Sequence, residues 1–343
     1  MRALLAALAA CVAFHAGAAA PRMAGYAARP EVRAFVSEMV EKYGFSREEL
    51  ERLFSAARPQ RSILRAMQTP AETTPRGWEA YKALFLTRER IDAGVRFREA
   101  NAESLARAAQ AYGVPESIIV AILGVETAYG RNTGNYRVID ALSTLAFDFP
   151  QRADFFRGQL EQYLLYAREE GLEALDLKGS YAGAIGIPQF MPGTYRRYGV
   201  DFDDDGRRDL THSAADAVGS VANFLKEHGW QSAQPIAVGA RVIGDRYAAL
   251  LDAGVKPSVP VESLPDFGIT ASEPLPPGSL CTLIELSNPG KDPEYRVGLQ
   301  NFYVLTRYNR SSLYALAVQE LAGAIEAALN APFSTAPPPR APG

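Results

Sequence analysis

The chain has little of what several function classes require. Its 343 residues include two cysteines, Cys11 and Cys281, and three histidines. That is too few for a disulfide framework or a Cys/His zinc site by ordinary ligand counting. There is no basic excess: 36 Lys+Arg stand against 39 Asp+Glu, a net charge of -3. Nothing would therefore track a phosphate backbone, and nucleic acid is not an expected partner. No G-x-S-x-G or G-x-x-x-x-G-K-[ST] element occurs, so serine hydrolase and nucleotide-binding readings lack support. There is no internal repeat. What is present is an ordinary globular composition, 48% hydrophobic and 22% charged, at a length that fits roughly two domains of ~150 residues.

Residues 1–20 read as a secretory signal peptide. Arg2 is the only charge before Arg22, and the apolar run Leu4 to Phe14 is too short for a stable membrane anchor. Ala16-Gly17-Ala18 supplies the small residues of a cleavage site near Ala19. Leu8-Ala9-Ala10-Cys11 also fits a bacterial lipoprotein box, in which Cys11 would be lipidated and hold the chain at a membrane. Simple secretion is preferred because the apolar stretch continues through Val12, Ala13 and Phe14; a buried N-terminal helix lacks a cap. Removing the segment takes away Arg2 and leaves a net charge of -4. Cys281 then has no partner, so an exported chain must be held by its core.

The pattern predicts an α+β fold, predominantly helical. Residues 30–100 form a helical N-terminal domain, with Val32, Phe35, Val36, Met39 and Val40 on one stripe and a Ser46/Glu49 capping box before Leu50, Leu53 and Phe54. Residues 101–230 are the expected core, helical from Glu103 to Glu170 with breaks at Gly113-Val114-Pro115 and at Gly130 to Gly134. Residues 179–210, rich in Gly, Pro, Tyr and Asp, read as functional loops, and Ala214 to His228 as a helix stopped by Gly229. Residues 231–300 read as a small β-rich insertion, with strands at Ile236 to Ile243 and Cys281 to Leu286 between proline-marked turns. Residues 301–330 return to the helical core, and the Pro-rich tail 331–343 is expected to be disordered.

One position breaks the pattern. Pro115 suits the first turn of a helix stopped by Gly130, with Ile118, Ile119, Ile122 and Leu123 facing inward. Continuing that spacing lands on Glu126, a carboxylate where an apolar side chain is due. Desolvation and the negative helix C-terminus both disfavour its ionised form, so its pKa should rise and the acid should serve as a proton donor. The plainer reading is an edge-of-stripe Glu, paired with Arg131 or solvated.

Two segments, Gly124-Val125-Glu126-Thr127-Ala128-Tyr129-Gly130 and Gly179-Ser180-Tyr181-Ala182-Gly183-Ala184-Ile185-Gly186-Ile187-Pro188-Gln189-Phe190-Met191-Pro192, resemble the membrane-bound lytic murein transglycosylase B family of Gram-negative bacteria. The resemblance continues through Asp201 to Trp230 and from Asn301-Phe302-Tyr303 to Tyr308-Asn309, covering most of residues 30–330. It implies a lysozyme-like core in the periplasm that cleaves the β-1,4 bond between N-acetylmuramic acid and N-acetylglucosamine in peptidoglycan. Glycan strands would be the partner, the enzyme a monomer, and no catalytic cofactor would be needed.

Ordinary glycoside hydrolysis uses two carboxylates; the family pattern supplies one. Glu126 would protonate the glycosidic oxygen, then take the proton of the C6 hydroxyl that attacks C1, giving a 1,6-anhydro end without water. Ser180 and Gln189 would hydrogen-bond the sugar, Tyr129, Phe190, Tyr303 and Tyr308 would stack on pyranose faces, and Arg152 would meet peptide carboxylates. Each has a structural alternative: a Gly/Pro turn for the loop, core aromatics for the rings, a solvated Arg152. A family tyrosine on the helix after the acidic loop is Phe224 here, which removes one hydroxyl.

Asp201 to Asp209 fits the first half of an EF-hand loop, with Asp201, Asp203 and Asp205 at positions 1, 3 and 5, Gly206 at the turn and the Arg207 carbonyl at position 7. Position 12 is His212, so Asp216 is the expected substitute, as in the related family loop. A structural Ca2+ is the expectation, the alternative being a solvated acidic turn partly offset by Arg207 and Arg208. Two further functional alternatives stand beside the transglycosylase: a hydrolytic muramidase using Asp140, Asp148 or Asp154 as second carboxylate, and a non-catalytic murein-binding scaffold.

Overall fold

The computed structural model describes residues 25–68 and 77–331. The expected signal peptide, Cys11 and the tail beyond Ala331 lie outside the described residues. The chain opens with helices α1 (Pro30–Tyr43), α2 (Arg47–Ala56), α3 (Arg61–Gln68), α4 (Trp78–Ala83), α5 (Arg88–Ala100), α6 (Ala102–Tyr112) and α7 (Glu116–Thr127). Local chemistry sets their ends: Pro30 sits in the first turn of α1, Gly44 closes it at φ 65°, and Ser46 caps α2 through the Glu49 amide.

The apolar stripes of these first helices do not close a core of their own. Val32, Phe35, Phe54 and Ile63 share one continuous core with Leu142, Leu145 and Leu321. Phe147 packs edge-on against both Phe35 and Phe54. Asp148 accepts hydrogen bonds from Tyr26 and Arg29 at its edge. A two-residue strand β1 (Tyr136–Arg137) precedes α8 (Val138–Asp148) and α9 (Ala153–Glu169), and pairs antiparallel with β2 (Lys178–Gly179).

The 179–210 stretch, expected to be loop, contains a seven-residue helix α10 (Pro192–Tyr198). Pro192 starts it, and the turn is too short to show a helical period. Then comes α11 (Ala214–Glu227), as expected before Gly229, which takes φ 89°.

The β-rich part follows: β3 (Ala237–Val242), α12 (Ala248–Asp252), β4 (Val259–Pro260), β5 (Ile269–Ala271), β6 (Leu280–Asn288) and β7 (Lys291–Gly298). They form an antiparallel sheet in the order β4-β6-β7-β3-β5. Alternation divides the faces of β6. Cys281 and Leu283 join a local core with Val238, Val297 and Leu264, whereas Ile284 and Leu286 pack into the main core. Cys281 is free and buried, and burial pushes its thiol up to about 11, which leaves it unreactive. The chain ends in α13 (Gln300–Tyr308) and α14 (Ser312–Asn330), the latter packed along α5 and α7.

Candidate active site

α7 is buried from Ser117 to Gly124, so its end is fixed within the core. Pro115 serves as its N-cap residue rather than lying in its first turn, and the helix stops before Gly130. The Tyr129 and Ala128 amides bond back to the Leu123 and Gly124 carbonyls, and Ala128, Tyr129 and Gly130 all take positive φ. This is a Schellman-type turn with alanine where glycine is usual, at a backbone cost of roughly 1 kcal/mol. It leaves Glu126 on the last helical turn. The Thr127 hydroxyl donates to the Ile187 carbonyl at 2.8 Å and accepts from the Gly130 amide at 2.9 Å. Thr127 thus fastens the 183–190 loop beside Glu126.

Glu126 has no ion pair with Arg131, which instead pairs with Glu89 at 2.9 Å. Its partner is Tyr314 of α14, whose hydroxyl donates to Oε1 at 2.7 Å. Burial pushes the Glu126 carboxyl up to about 7, with the Tyr314 hydrogen bond opposing part of that rise. Tyr308 stacks on Tyr314 with ring centroids 6.3 Å apart and donates to the Pro188 carbonyl at 2.6 Å. Tyr81 of α4 interacts through its hydroxyl with Ser311, and burial followed by the Glu126 charge raises its pKa. One tyrosine therefore holds the carboxyl, and Tyr308 and Tyr81 feel its charge.

The structure sorts the remaining sequence-predicted residues. Phe190 is buried and packs on Phe224 and Tyr308, each at 5.7 Å; Phe224 also stacks on His228. The Ser180 hydroxyl accepts from the Ala184 amide, and the Gln189 amide nitrogen donates to the Thr133 and Gly186 carbonyls. Those bonds fold the loop and leave the Ser180 hydroxyl proton and the Gln189 side-chain oxygen as its polar offerings. Tyr129 is half-buried: its hydroxyl donates to the Arg90 carbonyl, its ring stacks on Phe97, and a Cβ on Gly94 or Gly124 would strike its phenol oxygen. Its phenol end packs between α5 and α7. Arg152 lies over Phe155 and Phe156 at the start of α9, and Tyr303 lines a separate pocket with Arg307.

Two of the three carboxylates that could supply a second acid are committed elsewhere. Asp140 is ion-paired with Arg137 and accepts from Arg58 and Gln60. Asp148 holds Tyr26 and Arg29. Asp154 lies exposed in the first turn of α9.

In the acidic loop, carboxylate oxygens of Asp201, Asp203 and Asp205 lie within 4.8 Å of one another. Asp201 accepts from the Asp205 and Gly206 amides, Asp205 from the Arg207 amide, and Asp203 from the Ser213 hydroxyl. None of the three has an ion pair among the described residues, so their oxygens fit a hard cation. Asp216, expected to complete the ligands, is buried and does not join this trio. Its two oxygens accept from the Phe202 and Asp209 amides at 2.6 and 2.7 Å. Arg208 pairs with Glu170 rather than with the loop, where Arg107 meets Asp204 at 4.0 Å.

Sequence reasoning from Glu126 outward missed Tyr314, Tyr81 and Thr127. Tyr314 is an aromatic on an apolar helix, and Thr127 is adjacent to Glu126 but carries no periodic signal.

The family described as "Transglycosylase SLT domain" matches residues 27–323. The membrane-bound lytic murein transglycosylase B of Escherichia coli K12 is 42% identical over 308 residues, which is 88% of this chain and 84% of that protein. The crystal structure of soluble lytic transglycosylase SltB1 from Pseudomonas aeruginosa superposes with a TM-score of 0.83 at 47% identity, over 88% of this chain and 100% of that one. The E. coli lytic transglycosylase Slt35 in complex with calcium gives 0.80 at 41% identity, over 90% and 96%.

Proposed function

The chain belongs to the transglycosylase SLT domain family and is a lytic transglycosylase of peptidoglycan, a carbon–oxygen lyase, and we propose that Glu126 is its single acid/base. The observation that carries this reading is a half-buried carboxyl whose desolvation pushes its pKa up to about 7, held by Tyr314 at 2.7 Å. With Tyr314 donating to Oε1, the acid proton would sit on Oε2. That proton passes to the oxygen linking C1 of N-acetylmuramic acid to N-acetylglucosamine, and the C1–O bond breaks. The Glu126 carboxylate then accepts the proton of the C6 hydroxyl as O6 bonds to C1, closing the 1,6-anhydro ring. The proton is returned and no water is consumed. An internal nucleophile needs no second carboxylate, which agrees with the structural duties of Asp140 and Asp148. Neither the muramidase nor the scaffold alternative finds support.

Ser180 and Gln189 present hydrogen-bonding groups to the sugars, and Tyr308 with Phe190 behind it forms an aromatic wall. Asp201, Asp203, Asp205 and the Arg207 carbonyl would hold a structural Ca2+ that neutralises the loop between α10 and α11. A calcium complex of the E. coli Slt35 relative supports this. The E. coli relative is named as membrane-bound, which supports export to the periplasm through residues 1–20, with lipidation of Cys11 as the membrane-anchored variant of the same location.

Digestion of purified sacculi tests the reading. Products should carry 1,6-anhydromuramic ends by mass spectrometry, and Glu126→Gln should abolish turnover while retaining sacculus binding. Products carrying an added water would overturn it.

A further inference from the structure

A second pocket adjoins the Glu126 surroundings. It encloses about 400 Å³ and is lined by Val255, Tyr303, Thr306, Arg307, Arg310 and the serines that open α14. Arg307 and Arg310 are exposed, and neither has an Asp or Glu ion partner among the described residues. Arg307 lies over the Tyr303 ring at 5.8 Å, and Thr306 spends its hydroxyl on the Tyr303 carbonyl. The cation–π contact sets the Tyr303 ring as an aromatic floor beneath one guanidinium. Val255, contributed by the β-rich part and 45% exposed, forms an apolar flank.

The pocket is tied to the catalytic carboxyl through α14. Ser311 lines it and also accepts from the Tyr314 amide as the helix cap. Three residues on, Tyr314 holds Glu126. At a rise of ~1.5 Å per residue, pocket and carboxyl partner are about one helical turn apart. Ser311 interacts as well with Tyr81, which feels the Glu126 charge.

From this geometry we infer that the Arg307–Arg310 pocket binds a carboxylate of the peptide stem carried by the muramic acid residue at Glu126. The inference rests on the transglycosylase reading above. The glycan itself offers these arginines no negative charge: its sugars are neutral, because the lactyl carboxyl is consumed in the amide bond to the stem. The stem carries free carboxylates and leaves the sugar at O3, beside the ring. Two guanidiniums without acidic partners, with an aromatic floor and an apolar flank, suit a carboxylate on a short aliphatic peptide. Arg152, which the sequence pattern offers for this contact, lies over other rings at the start of α9.

The test compares intact murein strands with strands whose stems have been removed by an amidase. Arg307→Gln/Arg310→Gln should raise KM on stem-bearing strands about tenfold, leave kcat within about twofold, and leave kinetics on stripped strands unchanged; tenfold corresponds to about 1.4 kcal/mol. Arg307→Lys/Arg310→Lys should recover part of the loss, which a folding defect would not. Equal losses on both substrates, or no loss on either, would overturn the pocket assignment. Failure of the wild type to produce anhydro ends from either substrate would overturn the functional reading and take the inference with it.

Discussion

The Tyr314 hydroxyl and Glu126 Oε1 lie 2.7 Å apart across 188 residues of chain. The pair joins the last turn of a buried helix to the first turn of the helix that closes the core. Without that donor, the burial that raises the Glu126 pKa would be opposed by no hydrogen bond.

Tyr314→Phe should therefore move the basic limb of the pH–kcat/KM profile above its wild-type position, set by a carboxyl pKa of about 7. The hydrogen bond stabilises the ionised form, so its loss raises the carboxyl pKa further. A fall in kcat of about tenfold should accompany the shift as the acid loses its orientation. A profile superimposable on the wild type would count against this role.

Glu126→Gln should stabilise the protein at alkaline pH. The folded carboxyl is raised from 4.5 to about 7, so the stability contributed by its protonated form is fully present below about 4.5 and lost as pH rises through about 7. Gln carries no charge to desolvate. Denaturant melts should show the variant gaining about 1–3 kcal/mol on the wild type between pH ~4.5 and pH ~8. A constant difference across that window would show that Glu126 ionisation is not its source.

Saturating Ca2+ should stabilise the fold by about 1–3 kcal/mol, and a chelator should reverse this. Asp201→Asn/Asp205→Asn should abolish the response while the enzyme still cuts murein, because the loop sets the position of α11 and not the chemistry. Thermal melts that ignore both calcium and chelator would remove the ion from the proposal.

Gly134→Ala should cost about 3 kcal/mol or more. Gly134 takes φ 99°, and an added Cβ would sit 2.1 Å from the Gly179 carbonyl oxygen, at the strand pair that begins the 179–190 loop. Murein cleavage should fall with stability, since the loop that Thr127 fastens would shift. A variant as stable as wild type would show that the backbone there relaxes freely.

Much of the site's logic is visible in the sequence. The period of α7 exposes Glu126 as a carboxyl in an apolar position, and burial does raise its pKa. Capping chemistry marks α2, and composition and turn signals mark β3 and β6, because these are local properties. Other elements escaped for physical reasons. α10 is too short to display a period, and the N-terminal helices look like a unit until Phe147 is seen packing into them. Tyr129 shares a motif with Glu126, and two successive non-glycine residues in left-handed conformation carry its phenol oxygen between Gly94 and Gly124, a placement no local period encodes.

Local pattern picked out Glu126 as a carboxyl out of place on an apolar stripe and the recurrence of acidic oxygens at calcium spacing, while the single-carboxylate reading came from the family resemblance. What surrounds those groups came from the packing of distant segments. Tyr314 reaches Glu126 across 188 residues with Tyr308 stacked on it, Tyr81 feels the same charge from α4, Asp216 spends its oxygens on backbone amides, and Arg307 and Arg310 line their pocket without acidic partners among the described residues. A hydrogen bond or an unneutralised charge depends on distances between segments that local periodicity does not encode, and those distances were set when α7 and α14 packed together.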